Sequence, residues 1–122
     1  MKYLLVLGAL NGALAVTLGA FGAHGLKNRV DAGMLEVWGT ASQYHFYHAL
    51  ALLLVGLLAR QAGAGVVTAG WILFAGTLVF SGSLYALVLS GQKWLGAITP
   101  LGGTALIIGW LWLAWSLWRA HG

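Results

Sequence analysis

The chain has 122 residues, of which 61% are hydrophobic and only 7% are charged, whereas a soluble domain carries charge on roughly a quarter of its residues. This composition excludes a protein whose whole surface faces water. Six Lys and Arg residues against two acids give a net charge of +4, but the basic residues are scattered singly and form no run that follows successive phosphates, so nucleic acid is not expected as a partner.

Four apolar segments make up most of the chain, near residues 3–23, 41–59, 66–90 and 95–118. Each is long enough to cross a hydrocarbon core, which needs about 20 apolar residues of helix. We therefore predict an all-α integral membrane four-helix bundle, one transmembrane domain over residues 1–122, with membrane lipids as its surroundings. The first segment exceeds the roughly 7 to 15 apolar residues of a signal peptide core, so we expect it to be retained.

The first segment carries features of a helix that packs closely against other helices. Gly8, Gly12 and Gly19 form a stripe of small residues, which lets backbones approach each other in a membrane. Asn11 stands alone near the middle of this segment. Because an amide in the membrane must find a hydrogen-bonding partner, we predict that Asn11 bonds to a neighbouring helix.

The segment 24–40 has mixed polarity and joins the first two spans. Val30, Met34, Val37 and Trp38 recur at helical spacing, and Asp31 is a residue type that starts helices. We predict a short interfacial helix here, whose apolar face rests on the membrane surface. An ordered loop with a few apolar anchors is the alternative.

Polar side chains with chemical capacity gather toward one end of the spans. Counting helical rise from the span ends places them at similar depth. The candidates are His24, Tyr44, Tyr47, His48, Ser81, Ser83, Tyr85, Thr99 and Thr104. We predict that they bond to one another and to nearby carbonyls and so fasten the helices. The alternative is that they line one shallow binding cavity.

The histidines allow a metal or haem hypothesis. His45 and His48 are three residues apart, and His24 is expected at the same depth. A zinc site normally has three or four protein ligands, and the chain has no cysteine and no acid within the spans. We therefore predict no metal and no cofactor, with a haem held by His24 and His48 as the alternative.

Pro100 is the only proline and lies about one turn inside the fourth span. A proline inside a helix removes one backbone hydrogen bond and favours a kink. We predict a kink at Pro100. Alternatively the helix starts there, with Thr99 as its N-cap and free amides that could hold an anion.

Aromatic and basic residues mark the two membrane surfaces. Tyr3, Trp71, Trp112, Trp115 and Trp118 are predicted near the face of the termini, and Trp38, Tyr44, Tyr47 and Trp94 near the other. Basic residues divide evenly between the face of the termini (Lys2, Arg60, Arg119) and the opposite face (Lys27, Arg29, Lys93). Charge alone therefore leaves the orientation undecided.

Four spaced motifs carry a family resemblance over essentially the whole chain. They are Gly19-Ala-Phe-Gly-Ala-His24, Tyr44-His-Phe-Tyr-His-Ala-Leu50, Phe80-Ser-Gly-Ser-Leu-Tyr85 and Ile98-Thr-Pro-Leu-Gly-Gly103. Together they resemble the domain-of-unknown-function 423 family, which is related to the transmembrane protein 256 family. The resemblance implies small multi-pass proteins of bacterial inner membranes, without an agreed activity, and favours cytoplasmic termini.

The family pattern includes most of the candidate residues and leaves one histidine out. The residues that match the family pattern are His24, Tyr44, His48, Ser81, Ser83, Tyr85, Thr99 and Pro100. His45 departs from it, since relatives usually have another polar or small residue there. This departure weakens the two-histidine metal hypothesis.

No acid–base pair for catalysis is visible, because no carboxylate is available to orient His48 next to Ser81 or Ser83. We therefore predict a non-enzymatic membrane component that is an accessory subunit of a larger complex or a lipid-interacting module. An oligomeric transporter or channel-like protein, built from several copies, is the first alternative. An enzyme acting at the membrane surface through His24, His48 and Tyr44 is the second.

Overall fold

Four α-helices form the protein in the computed structural model, which describes residues 1–121. They are α1 (Lys2–His24), α2 (Ala32–Ala62), α3 (Ala64–Ser90) and α4 (Leu95–His121), and no strand occurs in this part of the chain. The predicted all-α fold class is confirmed. Helices α1, α3 and α4 are long and apolar enough to cross a membrane. Helix α2 is outside this set; its 31 residues include Glu36, Gln43 and two histidines.

The predicted interfacial helix is not a separate element. A helix does start after Asp31, whose carboxylate accepts a hydrogen bond from the Met34 amide at 2.8 Å. It then continues without a break to Ala62, because no proline interrupts it. Its apolar face also differs from the prediction, since Trp38 is buried against Leu26 and Val88 instead of resting on the membrane surface. Trp38 is therefore a core residue and does not belong to an aromatic belt.

The helices pack mainly against their neighbours in sequence. Helix α1 lies against α2, α2 against α3, and α3 against α4, whereas α1 and α4 do not touch within residues 1–121. The main core lies between α2 and α3, where Leu52, Val55 and Leu73 are buried. Leu4 from α1 and Leu106 from α4 complete it. The bundle is therefore open, and the outer faces of α1 and α4 remain uncovered.

A single residue, Gly63, joins α2 to α3. Its φ of +84° is in the region that residues with a side chain adopt only under strain, which explains the glycine at this position. The link leaves almost no freedom between the two helices. The C-terminal end of α2 and the N-terminal end of α3 therefore lie at the same depth.

Helix α4 begins at Leu95 and runs through Pro100 without ending. The alternative in which the helix starts at Pro100 is wrong, and Thr99 is not an N-cap: its hydroxyl bonds to Ser83 and to the Leu95 carbonyl. Pro100 lacks the amide that would bond to the Gly96 carbonyl, so one helical hydrogen bond is missing in this turn. The anion site that depended on a helix start is not formed.

Glycines bring the helices close at the positions where the main chains meet. A Cβ at Gly8 would lie 3.0 Å from the Ala49 carbonyl oxygen, and one at Gly102 would lie 2.7 Å from the Phe80 Cα. Gly12 and Gly19 also face α2, with more space: a Cβ there would be 3.9 Å from the Ala49 Cβ and 3.7 Å from the Ser42 Oγ. The stripe on α1 therefore lies against α2.

Candidate functional site

A histidine in the middle of the bundle connects three helices. His45 of α2 is only 4% exposed. Its Nε2 lies 2.8 Å from the Asn11 Oδ1 on α1, and its Nδ1 lies 3.0 Å from the Tyr85 hydroxyl on α3. Asn11 also donates its amide to the Leu7 carbonyl at 2.8 Å, so its oxygen must face the histidine.

These contacts fix the protons of the network. An amide oxygen only accepts, so His45 Nε2 carries the proton and donates to Asn11. The other ring nitrogen of the neutral imidazole is then an acceptor, and the Tyr85 hydroxyl donates to it. Asn11 thus has the partner on a neighbouring helix that a buried amide requires.

A small cavity of about 130 Å³ adjoins this network. Thr77 and Ser81 line it together with the three network residues, and the remaining walls are mainly leucine side chains. The hydroxyls in its wall are already used: Thr77 donates to the Leu73 carbonyl at 2.7 Å, and Ser81 donates to the Ala41 carbonyl at 2.8 Å. The cavity therefore offers few free polar groups to a ligand.

The second buried histidine joins α2 to α4. His48 Nδ1 lies 2.7 Å from the Tyr44 carbonyl oxygen, and Trp110 Nε1 lies 3.0 Å from His48 Nε2. A carbonyl only accepts and an indole N–H only donates, so the proton is on Nδ1 and Nε2 accepts. Both nitrogens of His48 are occupied within the protein.

Hydroxyl groups join α3 to its neighbours in the same way. Ser83 bonds to Thr99 of α4, and Ser81 bonds to the backbone of α2. No serine or threonine hydroxyl bonds to a histidine in residues 1–121. The described part of the chain therefore lacks the contact between nucleophile and base on which hydroxyl-based hydrolases depend.

The side chains of the remaining predicted site residues lie outside these contacts. His24, Tyr44, Tyr47 and Thr104 are exposed. Tyr44 and Tyr47 pack ring against ring on the outer face of α2, at 5.7 Å between centroids. The single shallow cavity predicted from depth does not form, because the nine side chains divide between separate helix contacts and the outer surface.

The geometry also rules out a haem or metal shared by His24 and His48. Gly22, two residues before His24, packs against Trp38. Trp38 precedes His48 by ten residues on α2, which is about 15 Å along a helix. One iron or zinc ion cannot span that distance.

The sequence does not predict the structural roles of two residues, His45 and Trp110, which join helices through their ring nitrogens. The sequence pattern predicts His45 near a membrane surface, because the second apolar segment begins near residue 41. His45 is as many residues from the start of α2 at Ala32 as Asn11 is from the end of α1 at His24. The two residues therefore lie at the same depth. For Trp110 the available signal was its position in the middle of α4, where an indole N–H needs an acceptor inside the protein.

Comparison with known proteins places the chain in a family. The family described as "Protein of unknown function (DUF423)" matches residues 18–103. The UPF0382 membrane protein YwdK of Bacillus subtilis (strain 168) is 56% identical over 113 residues, which are 91% of this chain and 92% of the relative. No solved structure matches the chain.

Staphylococcal relatives extend the match to the full length. The UPF0382 membrane protein SAB0533 of Staphylococcus aureus (strain bovine RF122 / ET3-1) is 48% identical over 122 residues, which are 100% of both chains. The UPF0382 membrane protein SSP2132 of Staphylococcus saprophyticus is 50% identical over 113 residues, 93% of this chain and 94% of the relative. With its three membrane-length apolar helices, the chain is a membrane protein and belongs to the DUF423 family.

Proposed function

We propose that the protein is a non-catalytic membrane component that acts through contacts of its outer surface with lipids or with other membrane proteins. One observation carries this proposal: every buried side-chain nitrogen and oxygen in residues 1–121 has a hydrogen-bonding partner. Buried imidazoles and hydroxyls that are already paired support helix packing and leave little for chemistry. The surface offered to partners is the apolar exterior, on which Leu10, Leu101 and Leu111 are exposed.

We further propose that α2 crosses the membrane together with the other three helices. Its 31 residues reach about 46 Å, and it lies against both α1 and α3. Gly63 joins its end directly to the start of α3. The relatives are bacterial proteins, and the family resemblance implies the bacterial inner membrane. Both support a location in that membrane, with both termini in the cytoplasm.

Native mass spectrometry after release in a mild detergent tests the functional proposal. The tagged protein is expressed at low level in a bacterial membrane, and its mass is measured before and after exchange into a stripping detergent. We expect additional mass from lipid or from a partner protein before stripping. A protein that is always alone, without lipid or partner, contradicts the proposal.

An oligomeric transporter is the second candidate, and one observation favours it. Because α1 and α4 do not touch, each copy has apolar faces on which further copies can pack. A flux assay in liposomes separates the two functions: a transporter moves an ion or a cationic dye across the bilayer, whereas a non-catalytic binding module leaves both gradients intact.

A further inference from the structure

A groove lies between the start of α1 and the end of α2. It has a volume of about 490 Å³. Leu5 and Val6 of α1 and Leu57 of α2 form its apolar walls. Val6 is 52% exposed and Leu57 is 63% exposed, so the groove opens toward the surrounding lipid.

Two cations stand at the same groove. Lys2 and Arg60 both line it, one from the first turn of α1 and the other from the last turn of α2. Neither Asp nor Glu neutralises them, because the two acids of the chain are Asp31 and Glu36. Glu36 precedes Arg60 by 24 residues on α2, about 36 Å along the helix.

We propose that this groove binds an anionic phospholipid, with an acyl chain against Leu5, Val6 and Leu57 and the phosphate between Lys2 and Arg60. The occupant follows from the chemistry of the groove: its walls suit a hydrocarbon chain, and its polar end carries only positive charge. A neutral protein helix would fill the walls but offer no negative charge to either cation. This inference names the ligand of the lipid-interacting module proposed above and therefore rests on that proposal.

Lipid exchange in native mass spectrometry tests the groove directly. The detergent-stripped protein is titrated with phosphatidylglycerol or with phosphatidylcholine of the same acyl chains. We expect the phosphatidylglycerol adduct to form in preference. Since one basic residue near a membrane surface contributes about 1 kcal/mol toward anionic lipid, Lys2→Gln and Arg60→Gln should each weaken the adduct about five-fold.

Matched variants separate a site from a general surface charge. Arg119 is a basic residue on the same membrane face that does not line this groove, so Arg119→Gln should leave the adduct unchanged. Leu57→Trp should fill the groove and weaken the adduct, whereas Leu54→Trp, an equally exposed position on α2 outside the groove, should not. All five substituted positions are exposed, so folding is not at risk.

Three results would overturn the inference. They are equal binding of the two lipids, an equal loss in Arg119→Gln and Arg60→Gln, and an unchanged adduct in Leu57→Trp. In each of these cases lipid still binds the protein, and the broader functional proposal stands. Only the failure to bind any lipid or protein removes that proposal as well.

Discussion

At the residue scale, the buried histidines are the points that hold the helices together. His45 joins α1, α2 and α3, and His48 joins α2 to α4. An interhelical hydrogen bond in a membrane contributes about 0.6 kcal/mol on average. The larger effect appears when one partner is lost, because the other group is then buried without a hydrogen bond.

Replacing His45 by leucine tests this role. The change keeps the side-chain volume and leaves Asn11 and the Tyr85 hydroxyl without their partner, so we expect a loss of about 1–3 kcal/mol in the free energy of unfolding. The measurement is reversible unfolding in mixed detergent micelles, followed by tryptophan fluorescence. His24→Leu is the control, since His24 is exposed and should change little.

A double variant sharpens the same test. In Asn11→Leu/His45→Leu two of the paired polar groups are removed together, so the double variant should be less destabilised than the sum of the single changes. If the loss in the free energy of unfolding of the double variant equals the sum of the two single losses, a direct bond between the two side chains is contradicted.

At the element scale, the contact between α3 and α4 depends on a glycine. A Cβ at Gly102 would meet the Phe80 backbone, which cannot move aside like a flexible side chain, with its Cα 2.7 Å away. At the neighbouring Gly103 the nearest atom would be in the Phe80 ring, at an ordinary 3.6 Å. The two adjacent glycines therefore differ sharply in the space they have.

This difference predicts different effects of the same substitution. Gly102→Ala should destabilise the protein by about 1–3 kcal/mol, the usual cost of overpacking. Gly103→Ala should be neutral or slightly stabilising, because alanine favours a helix over glycine. Thermal unfolding in one detergent measures both variants. Equal midpoints would show that α3 and α4 are farther apart at Phe80 than described.

The sequence predicts that the chain forms long helices, but it does not predict which side chains pair between them. Apolar length predicts four helices, and a lone Asn11 predicts a bonding partner, because both follow from the cost of exposed polar groups in lipid. The pairing with His45 depends on where α2 begins and how α1 lies against it. The mixed polarity of residues 32–40 hides that start, although these residues belong to the same continuous helix as the apolar segment that follows.

At the scale of the whole molecule, the bundle is open, and apolar side chains are exposed on its exterior. Helices α1 and α4 cover α2 and α3 from different sides without touching each other. The polar residues predicted to meet in one cavity instead divide between contacts that join neighbouring helices and the outer surface. We therefore expect the proposed contacts with lipid or partners to form on the outside of the bundle.

The most direct test of this account is the side of the membrane on which each loop lies. The chain has no cysteine, so single cysteines can be placed at Asn28, Gln61 and Gln92, all exposed, and treated with a membrane-impermeant thiol reagent in intact cells. We predict that Asn28→Cys and Gln92→Cys react in intact cells, whereas Gln61→Cys reacts only after lysis. Labelling of Asn28→Cys and Gln61→Cys from the same side would show that α2 does not cross the membrane and would contradict the account.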